Sequence, residues 1–84
     1  MKVVLMPGFL RSVKRCSSDL QGRIADCLFM LEQDPFQPAL RTHRLRGSLS
    51  AFFSCSVTQS YRIIFTLEDQ CVVIRQAGNH DDVY

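Results

Sequence analysis

The sequence predicts an α+β domain in which a helical hairpin packs on one face of an antiparallel sheet. Three observations indicate this: a β-rich run at the start, two segments of helical periodicity before residue 34, and three strand-like runs after residue 50. The chain has 84 residues, 46% apolar and 21% charged, which is typical of one globular domain. We therefore interpret residues 1–84 as a single domain.

The first strand is predicted at residues 2–6, which read KVVLM. Pro7 closes this run and is a good first residue for a helix. Apolar residues then recur near helical spacing up to Cys16, with basic residues on the other side. The sequence therefore predicts a short amphipathic helix after the strand.

The second helix is the clearest element. Ser17 or Ser18 can cap its beginning, and Pro35 disfavours helix at Asp34. Between them runs one continuous apolar stripe, formed by Leu20, Ile24, Cys27, Leu28 and Leu31. The two helices, joined by a tight turn, predict a helical hairpin.

The remainder predicts strands. Residues 41–47 read as an extended segment that ends at Gly47. Three successive runs at residues 50–57, 61–67 and 71–76 are joined by short polar turns, which predicts an antiparallel meander. Alternation places Phe53, Cys55 and Val57 on one face of their strand, and Tyr61, Ile63, Phe65 and Leu67 on one face of the next. Arg62 then lies on the opposite face, which we expect to be partly exposed.

Charge and cysteine content narrow the class of protein. Residues 1–46 hold eight basic and four acidic side chains, whereas residues 47–84 hold two and four, so a polyanionic partner fits the first half. The four cysteines show no metal-site spacing and no secretory signal precedes them, so we expect reduced core thiols, no metal and a cytoplasmic location. No apolar run is long enough for a membrane span.

The segment RTHRLRG concentrates Arg41, His43, Arg44 and Arg46 within six residues. Alternation puts Arg41 and His43 on one face and Arg44 and Arg46 on the other. One interpretation is an edge strand whose charges prevent aggregation. The other is a phosphate-binding edge, since the planar guanidinium suits phosphate better than an ammonium group does.

Two further residues stand out. Arg62 interrupts the apolar run YRIIF, so it either pairs with an acid such as Asp81 or Asp82 or lines a concave surface. His80 follows the last strand, where a lone histidine is usually a surface residue, but Val83 and Tyr84 give the tail apolar bulk that can anchor it.

Histidine, arginine and tyrosine without a metal motif suit one reaction, the cleavage of RNA by its own 2′-OH group. Histidine can act as the base or the acid near neutral pH, and arginine stabilises the charged phosphorane. DNA lacks the 2′-OH group and cannot react by this route.

The ordered combination of DPF, HRLRG, YRIIF and the terminal HDDVY resembles the RelE/ParE toxin superfamily over essentially the whole chain. The closest resemblance within it is to the YafQ-type and related RelE-type messenger-RNA interferases. It implies a toxin of a type II toxin–antitoxin system that enters the ribosomal A site, contacts ribosomal RNA, cuts messenger RNA without metal or cofactor, and is blocked by an antitoxin protein.

The resemblance also implies roles for individual residues. His80 matches the C-terminal catalytic histidine, Tyr84 the terminal aromatic, and His43 the histidine of the YafQ-type H-x-L-K-G segment. Arg62 matches the arginine that RelE-type members place before the apolar run. The remaining basic residues, expected to contact RNA phosphates, are Arg41, Arg44 and Arg46.

The sequence departs from the YafQ pattern at two positions. Ser56 and Ser60 stand where YafQ-type members have a second histidine and an aspartate, and neither serine can serve as base or acid near neutral pH. We therefore expect the site to rest on His43, Arg62 and His80, which folding should bring around a single phosphate-sized hollow. Two alternatives therefore stay open. One is a gyrase inhibitor like the ParE branch, and the other is a catalytically weak toxin that mainly binds its antitoxin.

Overall fold

The computed structural model describes residues 1–80, so Asp81, Asp82, Val83 and Tyr84 lie outside the described residues. Within this range two helices and five strands form, connected partly by two short 3₁₀ turns at Pro38–Leu40 and Gly47–Leu49. In chain order the elements are β1 (Lys2–Leu5), α1 (Pro7–Lys14), α2 (Ser18–Gln33), β2 (His43–Arg44), β3 (Phe53–Ser56), β4 (Tyr61–Glu68) and β5 (Cys71–Asn79). This confirms the α+β prediction.

The five strands form one sheet in the order β1-β5-β4-β3-β2. β2 to β5 pair antiparallel, which confirms the predicted meander, and β1 pairs in parallel with β5. The chain leaves the sheet directly after β1, where the Met6 amide donates to the carbonyl of Ile74 over 3.0 Å. The first strand therefore closes the far edge of the meander.

The helices begin where the sequence places them. Pro7 is the first residue of α1, and the N-cap of α2 is Ser17, whose hydroxyl accepts a hydrogen bond from the Leu20 amide over 3.2 Å. Both helices bury apolar side chains against one face of the sheet, where they form a single core. Its fully buried centre includes Phe9, Ile24, Leu31, Cys55, Ile63, Phe65, Val72 and Ile74.

The opposite face of the sheet, which we call the outer face, is partly covered rather than open. Ile64 and Thr66 are only 3% and 7% exposed although they point away from the helices. The chain between β2 and β3 folds over this face, and Leu45, Leu49 and Phe52 surround Ile64. The outer face is nevertheless partly exposed, as expected, because His43 and Gln76 in the row of Ile64 are exposed and Arg62 is half-buried.

The extended segment predicted at residues 41–47 is shorter in the structure. Only His43 and Arg44 form a strand, because Arg41 adopts a left-handed conformation (φ 52°) at the end of the preceding 3₁₀ turn. At the other end, Gly47 has φ 66°, a backbone conformation that glycine adopts without steric cost.

All four cysteines are free thiols, and Cys27 and Cys55 are buried in the core with their sulfur atoms 3.8 Å apart. The hydrogen bond with Cys27 and burial raise the pKa of the Cys55 thiol. Cys27 and Cys55 therefore act as small core residues, as predicted. The same prediction was wrong for Cys16 and Cys71, which are only half-buried. Over residues 1–80 no helix has the length and apolar character to cross a membrane.

Candidate functional site

Arg62 is held in place by the hairpin that joins β3 to β4. Its Nη1 donates to the hydroxyl of Ser56, the residue directly opposite in the register, and its Nη2 donates to the carbonyl of Gln59 over 3.0 Å. The Nε atom is buried and has no hydrogen-bond partner among the described residues. Two of the three nitrogens are thus oriented by the protein, and the third retains an unmet demand for an acceptor.

Over residues 1–80 no carboxylate pairs with Arg62, since the two ion pairs found there are Arg23–Asp19 and Arg75–Glu68. The alternative in which Arg62 pairs with Asp81 or Asp82 lies outside the described residues. What the described residues show is the other alternative: Arg62 lines a hollow of about 480 Å³. We call it the arginine hollow, and its walls are Ala39, Arg41, Ser56, Val57, Thr58, Gln59 and Arg62.

The arginine hollow combines two guanidinium groups with two hydroxyl groups. Arg41 reaches it because the left-handed turn at that residue redirects the chain after the 3₁₀ turn. Thr58 belongs to the β3–β4 hairpin, where its Oγ1 accepts hydrogen bonds from the amides of Ser60 and Tyr61 at 3.3 and 3.1 Å. Cationic forks beside hydroxyl donors are suited to a phosphate group.

His43 lies on the outer face in β2. It is paired with Ser54, which is paired in turn with Ile64, so these three side chains form one row across the sheet. The imidazole Nδ1 lies 3.3 Å from the carbonyl oxygen of Arg41. His43 is exposed and is two strands away from Arg62.

His80 lies immediately after β5, at the end of the sheet where Arg62 is found. Its amide donates to the carbonyl of Ser60 over 2.8 Å, which continues the β4–β5 register by one residue pair. Gly78 is paired with Arg62, so the alternation of β5 puts His80 on the outer face as well.

The register gives the spacing of the three groups. With about 4.8 Å between strands and about 3.3 Å per residue, the Cα of Arg62 lies about 8 Å from that of His80 and about 12 Å from that of His43. The same spacings put the two histidines on the order of 20 Å apart, with Arg62 between them. The structure therefore brings His80 close to Arg62 and leaves His43 farther along a diagonal of the outer face.

Of the three arginines predicted to bind RNA, Arg41 lines the arginine hollow, whereas the walls of that hollow do not include Arg44 or Arg46. Arg41 joins Arg62 in the arginine hollow, whereas Arg44 lies over the ring of Phe53 on the helix side of the sheet, 4.8 Å from the ring centroid. Arg44 also donates to the carbonyl of Ser50 over 2.7 Å, so it holds the β2–β3 connection. Arg46 is exposed at the beginning of the second 3₁₀ turn.

Sequence reasoning missed the groups that orient Arg62. Ser56 was considered only as the replacement of a histidine, yet its hydroxyl fixes the guanidinium, and Gln59 contributes through its backbone carbonyl. The signal for Ser56 was its distance from Arg62, because a short hairpin brings those two positions opposite each other. A backbone carbonyl leaves no such signal, because any residue type at position 59 could provide it. Tyr84 and its predicted role lie outside the described residues.

No protein-family model matches this sequence, and no curated protein matches it significantly. Solved structures do match. YafQ from E. coli strain BL21(DE3) superimposes with a TM-score of 0.82 at 15% identity, over 99% of this chain and 97% of that chain. A YoeB/ParE toxin from Agrobacterium tumefaciens gives 0.80 at 18% identity, over 95% and 99%.

A third match is the toxin–antitoxin complex RelBE2 from Mycobacterium tuberculosis, with a TM-score of 0.80 at 20% identity over 94% of this chain and 96% of that chain. Each likeness covers nearly the whole of both chains, so it extends to the order and placement of the elements described above. The chain therefore has the fold of the RelE/YafQ-type toxins.

Proposed function

We propose that this protein is the toxin of a type II toxin–antitoxin system and that it cleaves messenger RNA on the ribosome, in the cytoplasm. The observation that carries the proposal is the pre-oriented Arg62, with a buried, unpartnered Nε, beside Arg41 and next to the strand end that bears His80. Such a group binds a phosphate without first having to be ordered. We propose messenger RNA on the ribosome as the target because the chain shares its fold with the RelE/YafQ-type toxins.

The proposed reaction needs no metal. The 2′-oxygen of the RNA attacks the adjacent phosphorus, its proton passes to a base, and the bond to the 5′-oxygen breaks as that oxygen takes a proton from an acid. The products are a 2′,3′-cyclic phosphate and a 5′-OH end. Arg62 stabilises the phosphorane, and His80, the nearer histidine, transfers one of the two protons.

His43 is proposed as the counterpart of His80 on the other side of Arg62. The RNA strand would then run along the diagonal of the outer face, from the end of β5 towards β2, with Arg41 and Arg46 as further phosphate contacts. Tyr84 is proposed to stack on or orient a base near His80. An antitoxin would block this path by covering the basic segment 41–46, and one of the similar structures is itself a toxin–antitoxin complex.

The test is translation in a reconstituted bacterial extract, with mapping of the 5′-OH ends of the message. His80→Gln and Arg62→Gln are each expected to slow cleavage by about 10²- to 10³-fold, the usual loss for a proton-transfer group or a charge-stabilising donor. Arg23→Gln is the matched control, because Arg23 is an exposed arginine of α2 whose partner is Asp19 on the same helix. A message with 2′-deoxyribose at the cleaved nucleotide should resist the wild-type protein.

The outcomes separate this proposal from its alternatives. Ends that carry 5′-phosphate, or cleavage that survives both substitutions, would rule out the reaction described. Supercoiling defects with intact messages would indicate a ParE-like gyrase inhibitor. Binding to the antitoxin without either effect would indicate a catalytically weak toxin, which Ser56 supports because its hydroxyl is engaged with Arg62.

A further inference from the structure

A second hollow lies on the outer face, beyond the row of Arg62. Its volume is about 160 Å³, smaller than the roughly 300–1,000 Å³ of pockets for drug-sized ligands, so it suits one flat ring system. Four of its six walls are apolar and the other two carry an amide and a guanidinium. They are Leu45, Leu49, Phe52, Ile64, Arg75 and Gln76.

The chain between β2 and β3 builds one side of this hollow. The Leu45 amide donates to the carbonyl of Phe52 over 2.9 Å, which brings the two ends of the connection together beside the sheet. Leu49, at the 3₁₀ turn between them, keeps 42% of its surface exposed. The hollow is therefore open to solvent and has Ile64 at its floor.

The strand β5 builds the other side by means of an irregularity. Ile64 is paired with Gln76 but the next residue, Phe65, is paired with Ile74, so Arg75 is the extra residue of a β-bulge. The bulge brings both Arg75 and Gln76 to the hollow, where strict alternation would turn one of them to the helix side. Bulges commonly redirect side chains beside functional sites.

The guanidinium of Arg75 is already fixed in position. Its Nε donates to Thr66 Oγ1 over 3.2 Å, and its Nη2 donates to Glu68 Oε2 over 2.5 Å. The hydrogen bonds from Thr66 and Arg75 hold the pKa of the Glu68 carboxyl below its usual range, so this anchor stays ionised at neutral pH. Gln76 is exposed, which leaves its amide accessible from solvent.

We propose that this hollow binds a single unstacked purine base of the RNA whose phosphate lies at Arg62, so that Gln76 and Arg75 select the nucleotide beside the cleaved bond. The inference rests on the proposed function. Single-stranded RNA is read by bases that stack on aromatic or guanidinium planes and hydrogen-bond along their edges, and this hollow offers Phe52, the plane of Arg75 and the amide of Gln76.

The distance between the two hollows and the hydrogen-bonding groups at the second one both favour a purine base from the RNA strand whose phosphate lies at Arg62. The row of Ile64 and Gln76 lies two residues along β4 from Arg62, about 7 Å away at ordinary strand spacing. A glutamine amide can form two hydrogen bonds with the N6 and N7 positions of adenine. An arginine can form two hydrogen bonds with O6 and N7 of guanine. Pyrimidines lack N7, so the polar pair favours a purine.

The first experiment measures binding without requiring cleavage. The ¹⁵N- and methyl-labelled protein is titrated with AMP, GMP, CMP, UMP and ribose 5-phosphate. The proposal expects purine nucleotides to shift the side-chain amide of Gln76 and the methyl groups of Leu45 and Ile64, and ribose 5-phosphate to shift only the arginine hollow. Equal shifts with every nucleotide, or none at the second hollow with any of them, would overturn it.

Two variants locate the effect. Gln76→Leu keeps the size of the side chain and should lower the preference for purines on the order of 10- to 100-fold, the usual discrimination of one bidentate contact. Gln76→Trp fills the hollow and should abolish base-dependent shifts while shifts at Arg41 and Arg62 persist. Gln33→Leu, at the exposed end of α2, is the control and should retain both responses.

The second experiment separates this inference from the proposed function. Cleavage sites of wild type and Gln76→Leu are compared on one message, and the variant is expected to spread its cuts over pyrimidine positions. If the wild type does not cleave at all, purine-selective shifts would still support the base site. If it does cleave and both the sites and the shifts are unchanged in the variant, the base site is refuted.

Discussion

Replacement of Ser56 by alanine tests whether this serine orients Arg62. The change removes the acceptor of Nη1, so the guanidinium keeps a single acceptor among the described residues, the Gln59 carbonyl, while its Nε stays buried and unpartnered. Hydrogen bonds to charged groups contribute about 1.5–3 kcal/mol, and Arg62 is only half-buried, so we expect a loss of about 1–2 kcal/mol in the free energy of unfolding. For a domain of this size that lowers Tm by about 4–8 °C per kcal/mol.

The assay is a double-mutant cycle by urea unfolding, with Arg62→Met as the second change and Ser48→Ala as the control. Ser48 is exposed in the β2–β3 connection, where its loss should cost less than about 0.5 kcal/mol. In the Arg62→Met background Ser56→Ala should be nearly neutral, because both partners are then absent. Equal effects of Ser56→Ala in the two backgrounds would refute the claim that Ser56 acts through Arg62.

Two further predictions concern the scaffold. Ser17→Ala removes the cap of α2 and should reduce the free energy of unfolding by about 1 kcal/mol in the same urea assay, whereas Ser18→Ala should not; equal losses would argue against the cap. Pulsed alkylation followed by mass spectrometry should modify Cys71, which is half-buried, well before Cys55, because burial and the hydrogen bond with Cys27 disfavour the Cys55 thiolate. Equal labelling rates would contradict the buried thiol pair.

Local sequence signals predicted most of the scaffold. The stripe ending at Leu31, the cap at Ser17 and the alternation through Phe65 each depend on neighbours within a few positions, and each is present in the structure. The parallel pairing of β1 with β5 was not predicted, because it joins residues about seventy positions apart and leaves no periodic pattern. The length of β2 was also not predicted, since nothing in the residue type of Arg41 indicates the left-handed conformation that precedes this strand.

The candidate site was predicted in its residue types and only partly in its arrangement. His43, Arg62 and His80 were expected around one hollow, whereas the register puts His80 near Arg62 and leaves His43 farther away. That register is set by pairing between strands, which the sequence does not state. The β-bulge at Arg75 is likewise invisible in the run CVVIRQ, which alternates too weakly to reveal an extra residue. Features that depend on pairing between strands thus remained beyond sequence reasoning, whereas features within one strand or helix did not.

The position of Arg62 explains how a single strand contributes both to the core, on one face of the sheet, and to the candidate site, on the other. Its backbone belongs to a central strand whose inward residues, Ile63 and Phe65, are completely buried, so the strand cannot move without opening the core. The guanidinium is therefore fixed from behind by packing and from the side by the hairpin that carries Ser56 and Gln59. An arginine held in this way loses little conformational freedom when it binds a phosphate, which is the condition for electrostatic stabilisation of a transition state. For that reason, variants of the core should affect the proposed RNA cleavage only as far as they lower stability, whereas variants of the hairpin should change the cleavage rate and the free energy of unfolding independently.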